Sequence, residues 1–269
     1  MTRKAMSLLA LALGLAALAP TAALAGRSCE EKPIDATVVI KAMNLAHQTR
    51  QALDESGAEV AMIARVGQDL SKYKLRYSHM ALVWRDHPKG RWTVVHELNE
   101  CGTAASALYN EGLGNFFMDD MYAYETQIVL PGPAIQAGLA RLLASNTPRR
   151  LHGAHYNMLA YAYSSKYQNS NQWVLEAYAA ASAPAGKVET RDEAQSWLKQ
   201  ANYQPITIKV PTMTRLGGRM FRANIAFDDH PFDRRMAGQI DTVTVDSMVR
   251  FIKQRDAETR EIVLALDDK

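Results

Sequence analysis

The sequence predicts an α+β fold in which an antiparallel sheet packs on helices, and three observations carry that expectation. Three short runs rich in Val, Ile and Met, EVAMIARVG, SHMALVWR and RWTVVHEL, follow one another between residues 59 and 98 and read as strands. The turn-forming HPKG joins the second to the third as a hairpin. Segments of helical periodicity lie before and after them. The chain has 269 residues, 48% of them apolar and 22% charged, which excludes disordered, collagenous and coiled-coil classes.

At the N-terminus Arg3 and Lys4 lead into SLLALALGLAALAP and TAALA, with Ala23 and Ala25 at the small-residue positions of a peptidase site. This is the pattern of a secretory signal peptide over residues 1–25, cleaved after Ala25. Pro20 interrupts the apolar run before the ~20 residues that a membrane span requires. The mature chain is therefore expected in the periplasm or secreted, with no membrane anchor. From Asp35, ATVVIKAMNLAHQTRQALDES places Val39, Met43, Ala46 and Leu53 on one helical face, between Asp35 as N-cap and Gly57 as stop.

The three strands follow, and residues 103–125 then read as a short helix and a loop. The strand TQIVLP and a helix opening at Pro133 come next. An aromatic extended segment, YNMLAYAYSSKYQ, leads into a helix whose first turn carries Asn169, Ser170 and Asn171 and whose buried stripe is Trp173, Val174, Ala177 and Tyr178. Beyond it lie a capping box from Thr190 to Glu193, the strand PITIKV, a turn at Gly217 and Gly218, the loop FDDHPFDRR, the strand IDTVTV and a last helix capped by Asp246. The expected organisation is a core over residues 26–185 with a C-terminal α+β extension, 186–269, packed on it.

Without the signal segment 29 basic groups stand against 28 acidic ones, and the absence of a basic block argues against nucleic acid as a partner. Two cysteines remain, Cys29 and Cys101. In an oxidising compartment they are expected to form one disulfide, closing a loop of about 72 residues and contributing roughly 4 kcal/mol. The sharper alternative makes Cys101 a nucleophile with His96 or His79 as its base.

A histidine at the entrance of a strand, YSHMALVW, and a hydroxyl residue at a distant helix start, QNSNQWVLEAY, are the residue types of an acyl-transfer site. The helix N-terminus supplies amide donors for an oxyanion, and the histidine supplies a base. Glu97 or His96 on the next strand would orient the imidazole, and alternation lets only one of them share its face. His152, His155, Asp228, Asp229 and His230 offer metal-type donors at generic spacing, and the expectation is no metal and no cofactor.

The order of Ser-His on an apolar strand, an acidic residue on the next, and a helix of form small-polar-aromatic-Val resembles the circularly permuted papain-like hydrolases of the NlpC type. The segments HELNECGT, GLGNFFMDD, YQNSNQWVLE and FDDHPFDRRMAGQIDTVTVDS also resemble an exported bacterial domain family of unknown function. The papain-like resemblance implies His79 as base, Glu97 as orienting group and Ser170 in place of the nucleophilic cysteine. Asn169, Asn171, Trp173 and Tyr167 would then form the oxyanion and cleft surroundings. The implied activity is hydrolysis of an amide or ester bond in a cell-envelope small molecule or peptide. The alternative is a non-catalytic periplasmic binding or assembly module that keeps the cleft.

Overall fold

The structure, a computed structural model, describes residues 33–119, 121–221 and 223–266. The expected signal segment, its cleavage point and Cys29 lie outside the described residues. Helix α1 (Ala36–Ser56) begins and ends where its sequence dictates: the Asp35 carboxylate accepts from the Thr37 amide at 2.7 Å, and Gly57 closes it at φ 71°. Its buried stripe is Ala42, Leu45, Ala46, Thr49 and Leu53, so Met43 is turned outward and 44% exposed.

Strands β1 (Val60–Val66), β2 (His79–Trp84) and β3 (Thr93–Asn99) form the expected meander. The supposed loop after Gly102 contains a further strand, β4 (Ser106–Glu111), before helix α2 (Leu113–Met118). Strand β5 (Ala123–Leu130) and the last strand, β8 (Arg260–Ala265), complete a six-stranded antiparallel sheet in the order β4-β3-β2-β1-β5-β8. Every residue of β1 and β2 is buried, because both faces of the central strands are covered.

One face carries Ala61, Ile63, Ala81, Val83, Val94 and Ile128 against α1 and α2. The other carries Met62, Ala64, Met80, Leu82 and Val95 against helices α3 (Pro133–Leu143), α5 (Ser170–Ser182), α6 (Arg191–Gln200) and α9 (Val245–Arg255). Between α3 and α5 lies the short α4 (Thr147–Arg150). Helix α6 opens with the expected capping box of Thr190 and Glu193. Helix α9 is capped by Thr244 with Ser247, not by Asp246: the side chain of Thr244 accepts the Ser247 amide at 3.2 Å.

The chain beyond residue 186 is divided. Strand β8 joins the main sheet, while α6 and α9 fill the main core. A small core of Ile208, Val210, Phe227 and Ile240 lies under the pair β6 (Ile206–Lys209) and β7 (Gln239–Thr242), with helices α7 (Thr212–Phe221) and α8 (Phe232–Met236) between them. Gly217 and Gly218, expected in a turn, lie inside α7. No helix among the described residues is long and apolar enough to cross a membrane.

Candidate functional site

Strand alternation decides which groups can meet. Register pairs Ile63 with Ala81 and Arg65 with His79, so His79 shares the face that packs on α1 and α2. His96, two residues beyond Val94 on β3, shares it too. The contacts agree: His79 Nε2 lies 2.9 Å from His96 Nδ1, and both rings pack on Phe116, with centroids 5.9 and 5.6 Å away. Glu97 follows His96 in the strand and therefore points to the α5 side, where the charges of Glu176 and Arg191 reach it. Of the two orienting groups the sequence offered, His96 is the one beside His79.

Ser170 opens α5 on that opposite side of the sheet. Its neighbours are fully engaged. Asn169 Oδ1 accepts from the Gln172 amide at 2.8 Å as N-cap, and its Nδ2 donates to Thr242 Oγ1 at 3.1 Å. Asn171 Oδ1 accepts from the Met80 amide at 2.9 Å, and its Nδ2 donates to the Ser78 carbonyl at 3.2 Å. That carboxamide gives β2 the donor and acceptor a neighbouring strand would give, where the paired residues of β2 and β3 stop at Leu82 and Val95.

The hydroxyl and backbone amide of Ser170 both meet the Tyr156 phenol, not an imidazole. Burial pushes that phenol up to about 12, and the Ser170 contacts only partly oppose the shift. A phenol that stays protonated is no base at neutral pH. Ser170 thus has Tyr156 beside it and His79 has His96, while Glu97 points to the other face of the sheet from His79.

Glu97 is fully buried, and neither carboxyl oxygen makes a hydrogen bond of good geometry. Ser106 lies close enough to favour the ionised form, but loss of hydration wins and pushes the carboxyl up to about 8. Glu97 is therefore a neutral acid at neutral pH. Burial holds the His79 imidazole well below the ordinary range, with the Arg65 and His96 charges acting in the same direction. His96 is lowered by burial as well, although Glu111 opposes the shift.

A cleft of about 1050 Å³ opens at this end of the sheet, between the starts and ends of its central strands and the small lobe of β6, β7 and α7. Leu70, Leu75, Met158, Ile208, Val210 and Phe227 supply apolar wall; Tyr156, Ser170, Asn171, Asn224 and Thr242 supply hydroxyls and amides. His79 also lines it, because β2 begins there. The Arg65 guanidinium at the same end is paired with Asp119 and donates to the Phe116 carbonyl.

The segment carrying Tyr156, Met158 and Leu159 is fastened from behind by a buried polar network. Glu176 accepts from Arg191 Nε at 3.0 Å, from Gln168 at 2.6 Å and from Gln195 at 3.2 Å. Arg191 also donates to the carbonyls of Ser165 and Tyr167, at 3.0 and 2.9 Å. Gly153 lets the guanidinium approach, since a Cβ there would lie 2.7 Å from Arg191 Nη1.

Trp173, expected at the cleft, is in the core with its indole donating to the Pro148 carbonyl at 3.2 Å. Tyr167 lies outside the cleft lining, its hydroxyl 3.1 Å from Asp228. Cys101 lines the cleft but carries no free thiol, so it supplies no nucleophile. His152 sits 3.1 Å from Ser106 Oγ and His230 3.0 Å from Asp229. Among the described residues no group of three or more His, Cys, Asp or Glu is arranged to hold a metal ion. Sequence reasoning missed Tyr156 as the partner of Ser170 and Glu111 as the partner of His96.

The profile of a family described as an uncharacterized protein conserved in bacteria, DUF2145, matches residues 52–252. The chain belongs to that family. The matched span contains His79, His96, Tyr156 and Ser170 together with the whole cleft wall. No curated protein and no solved structure matches, and nothing found extends the likeness to NlpC-type enzymes.

Proposed function

We propose that the protein is a non-catalytic binding module of the cell envelope whose cleft takes a small molecule or peptide with an uncharged polar part and an apolar part. The observation that carries this reading is that His79 and Ser170, which both line the cleft, each have a different partner, His96 and Tyr156. An acylating serine needs a base within hydrogen-bond reach, and Ser170 has a protonated phenol instead. A wall that is mainly aliphatic and aromatic, with a few fixed hydroxyls and amides, suits binding of such a molecule. The signal-like N-terminus supports export, and Cys29 is the natural partner for Cys101 in that compartment. The papain-like architecture rests on motif order alone.

The test uses the full chain with muropeptides and with an N-acylated dipeptide as probes, followed by calorimetry and by mass spectrometry of the recovered probe. Gly217 lines the cleft, and a Cβ built on it meets nothing within 4 Å, so Gly217→Trp adds bulk at the cleft wall from a position with room for a side chain to start. The expected result is binding without turnover in the wild-type protein, and an affinity at least about tenfold lower in Gly217→Trp at unchanged melting temperature. Cleavage of a probe, or equal binding by the two proteins, overturns the reading.

A further inference from the structure

Two buried histidines and a half-buried carboxylate form a chain across the sheet. Glu111 on β4 is 21% exposed at its side chain, and its Oε1 lies 3.0 Å from His96 Nε2. His96 Nδ1 is 2.9 Å from His79 Nε2, and His79 opens on the cleft. Each histidine therefore uses one nitrogen on the other, and the chain runs from the outer edge of the sheet to the cleft wall.

The direction of the chain follows from charge. A carboxylate beside His96 Nε2 favours a proton on that nitrogen; a lone pair there would face the oxygen and be repelled. The approach is oblique for a hydrogen bond, so charge sets the preference as much as the bond itself. With Nε2 protonated, neutral His96 presents the Nδ1 lone pair to His79. His79 Nε2–H must then donate to it, which puts the free lone pair of the neutral ring on His79 Nδ1.

We propose that His79 Nδ1 is the hydrogen-bond acceptor of the cleft and takes an amide N–H or hydroxyl donor of the bound molecule, with Glu111 fixing the required tautomer through His96. This deepens the binding reading and rests on it. Glu111 and His96 are positioning residues; of the three, only His79 touches the ligand.

The experiment is nitrogen NMR of the full chain, uniformly labelled with nitrogen-15 so that histidine ring nitrogens and the amides of Ser170 and Thr242 are all read, titrated with N-methylacetamide as a neutral amide donor. The wild-type protein is expected to carry its His79 proton on Nε2, and the Nδ1 signal is expected to move as the amide is added. Glu111→Gln keeps an acceptor oxygen and keeps both results. Glu111→Lys puts a donor beside His96 Nε2, reverses both tautomers, and abolishes the Nδ1 response. A wild-type His79 protonated on Nδ1 overturns the proposal, as does a silent Nδ1 while Ser170 and Thr242 respond. If no cleft residue responds, the binding reading fails along with it.

Discussion

Replacing Arg191 by methionine is expected to lower the unfolding free energy by about 3–5 kcal/mol, because it leaves the Glu176 carboxylate buried without its cation. Glu176 is fully buried, and burial already raises its pKa against the opposing charge of Arg191. Losing the guanidinium also strands the Ser165 and Tyr167 carbonyls. Denaturant titration reads the loss. The double replacement Glu176→Gln with Arg191→Met should recover part of it, since the uncompensated charge is then gone. The functional consequence falls on the segment of Tyr156, Met158 and Leu159, which this network fastens into the cleft wall. An Arg191→Met protein of wild-type stability would contradict the role given to the network.

Replacing Glu97 by glutamine is expected to stabilise the protein in alkaline solution and to matter little in acid. The folded-state pKa of Glu97, about 8, lies above its ordinary value of 4.5. The folded protein therefore holds a proton that the unfolded chain has released between those values. The wild-type contribution is fully present below 4.5 and is lost as pH rises through about 8. The stability difference between Glu97→Gln and wild type should widen across that window by on the order of 5 kcal/mol. Parallel urea titrations at several pH values measure it. Comparing two proteins that differ only at this residue cancels the opposite, acid-side contribution of His79 and His96, whose lowered pKa values make stability fall as pH drops below the ordinary histidine range. A difference that does not change with pH would mean that Glu97 is ionised in the fold.

Much of the fold was legible because its signals are local. Asp35 and Gly57 mark the ends of α1, Thr190 and Glu193 form their capping box, and the three central strands read from their β-branched and aliphatic runs. Strands β4 and β8 were missed because edge strands bury little and keep a mixed pattern, as Tyr109 and Val263 show by their exposure. Gly217 and Gly218 read as a turn because glycine is a poor helix residue, yet α7 keeps them where it borders the cleft.

The site was legible only in part. Alternation established only that His96 and Glu97 face opposite sides; it takes the strand register to put His96, not Glu97, on the face of His79. No local signal could reveal that Tyr156 meets Ser170, since the two come together only through the tertiary fold. The same holds for the Asn171 carboxamide, which spends both its groups on the edge of β2.

The central claim is that Ser170 and His79 do not form a reacting pair. The most direct test places a thiol at Ser170 by Ser170→Cys and measures its alkylation by iodoacetamide at neutral pH, with and without His79→Ala. The account predicts the same rate in both backgrounds, within about twofold, because the helix terminus and Tyr156 alone set that thiol's reactivity. A rate that falls about tenfold or more when His79 is removed would show an imidazole acting on residue 170, and would contradict it.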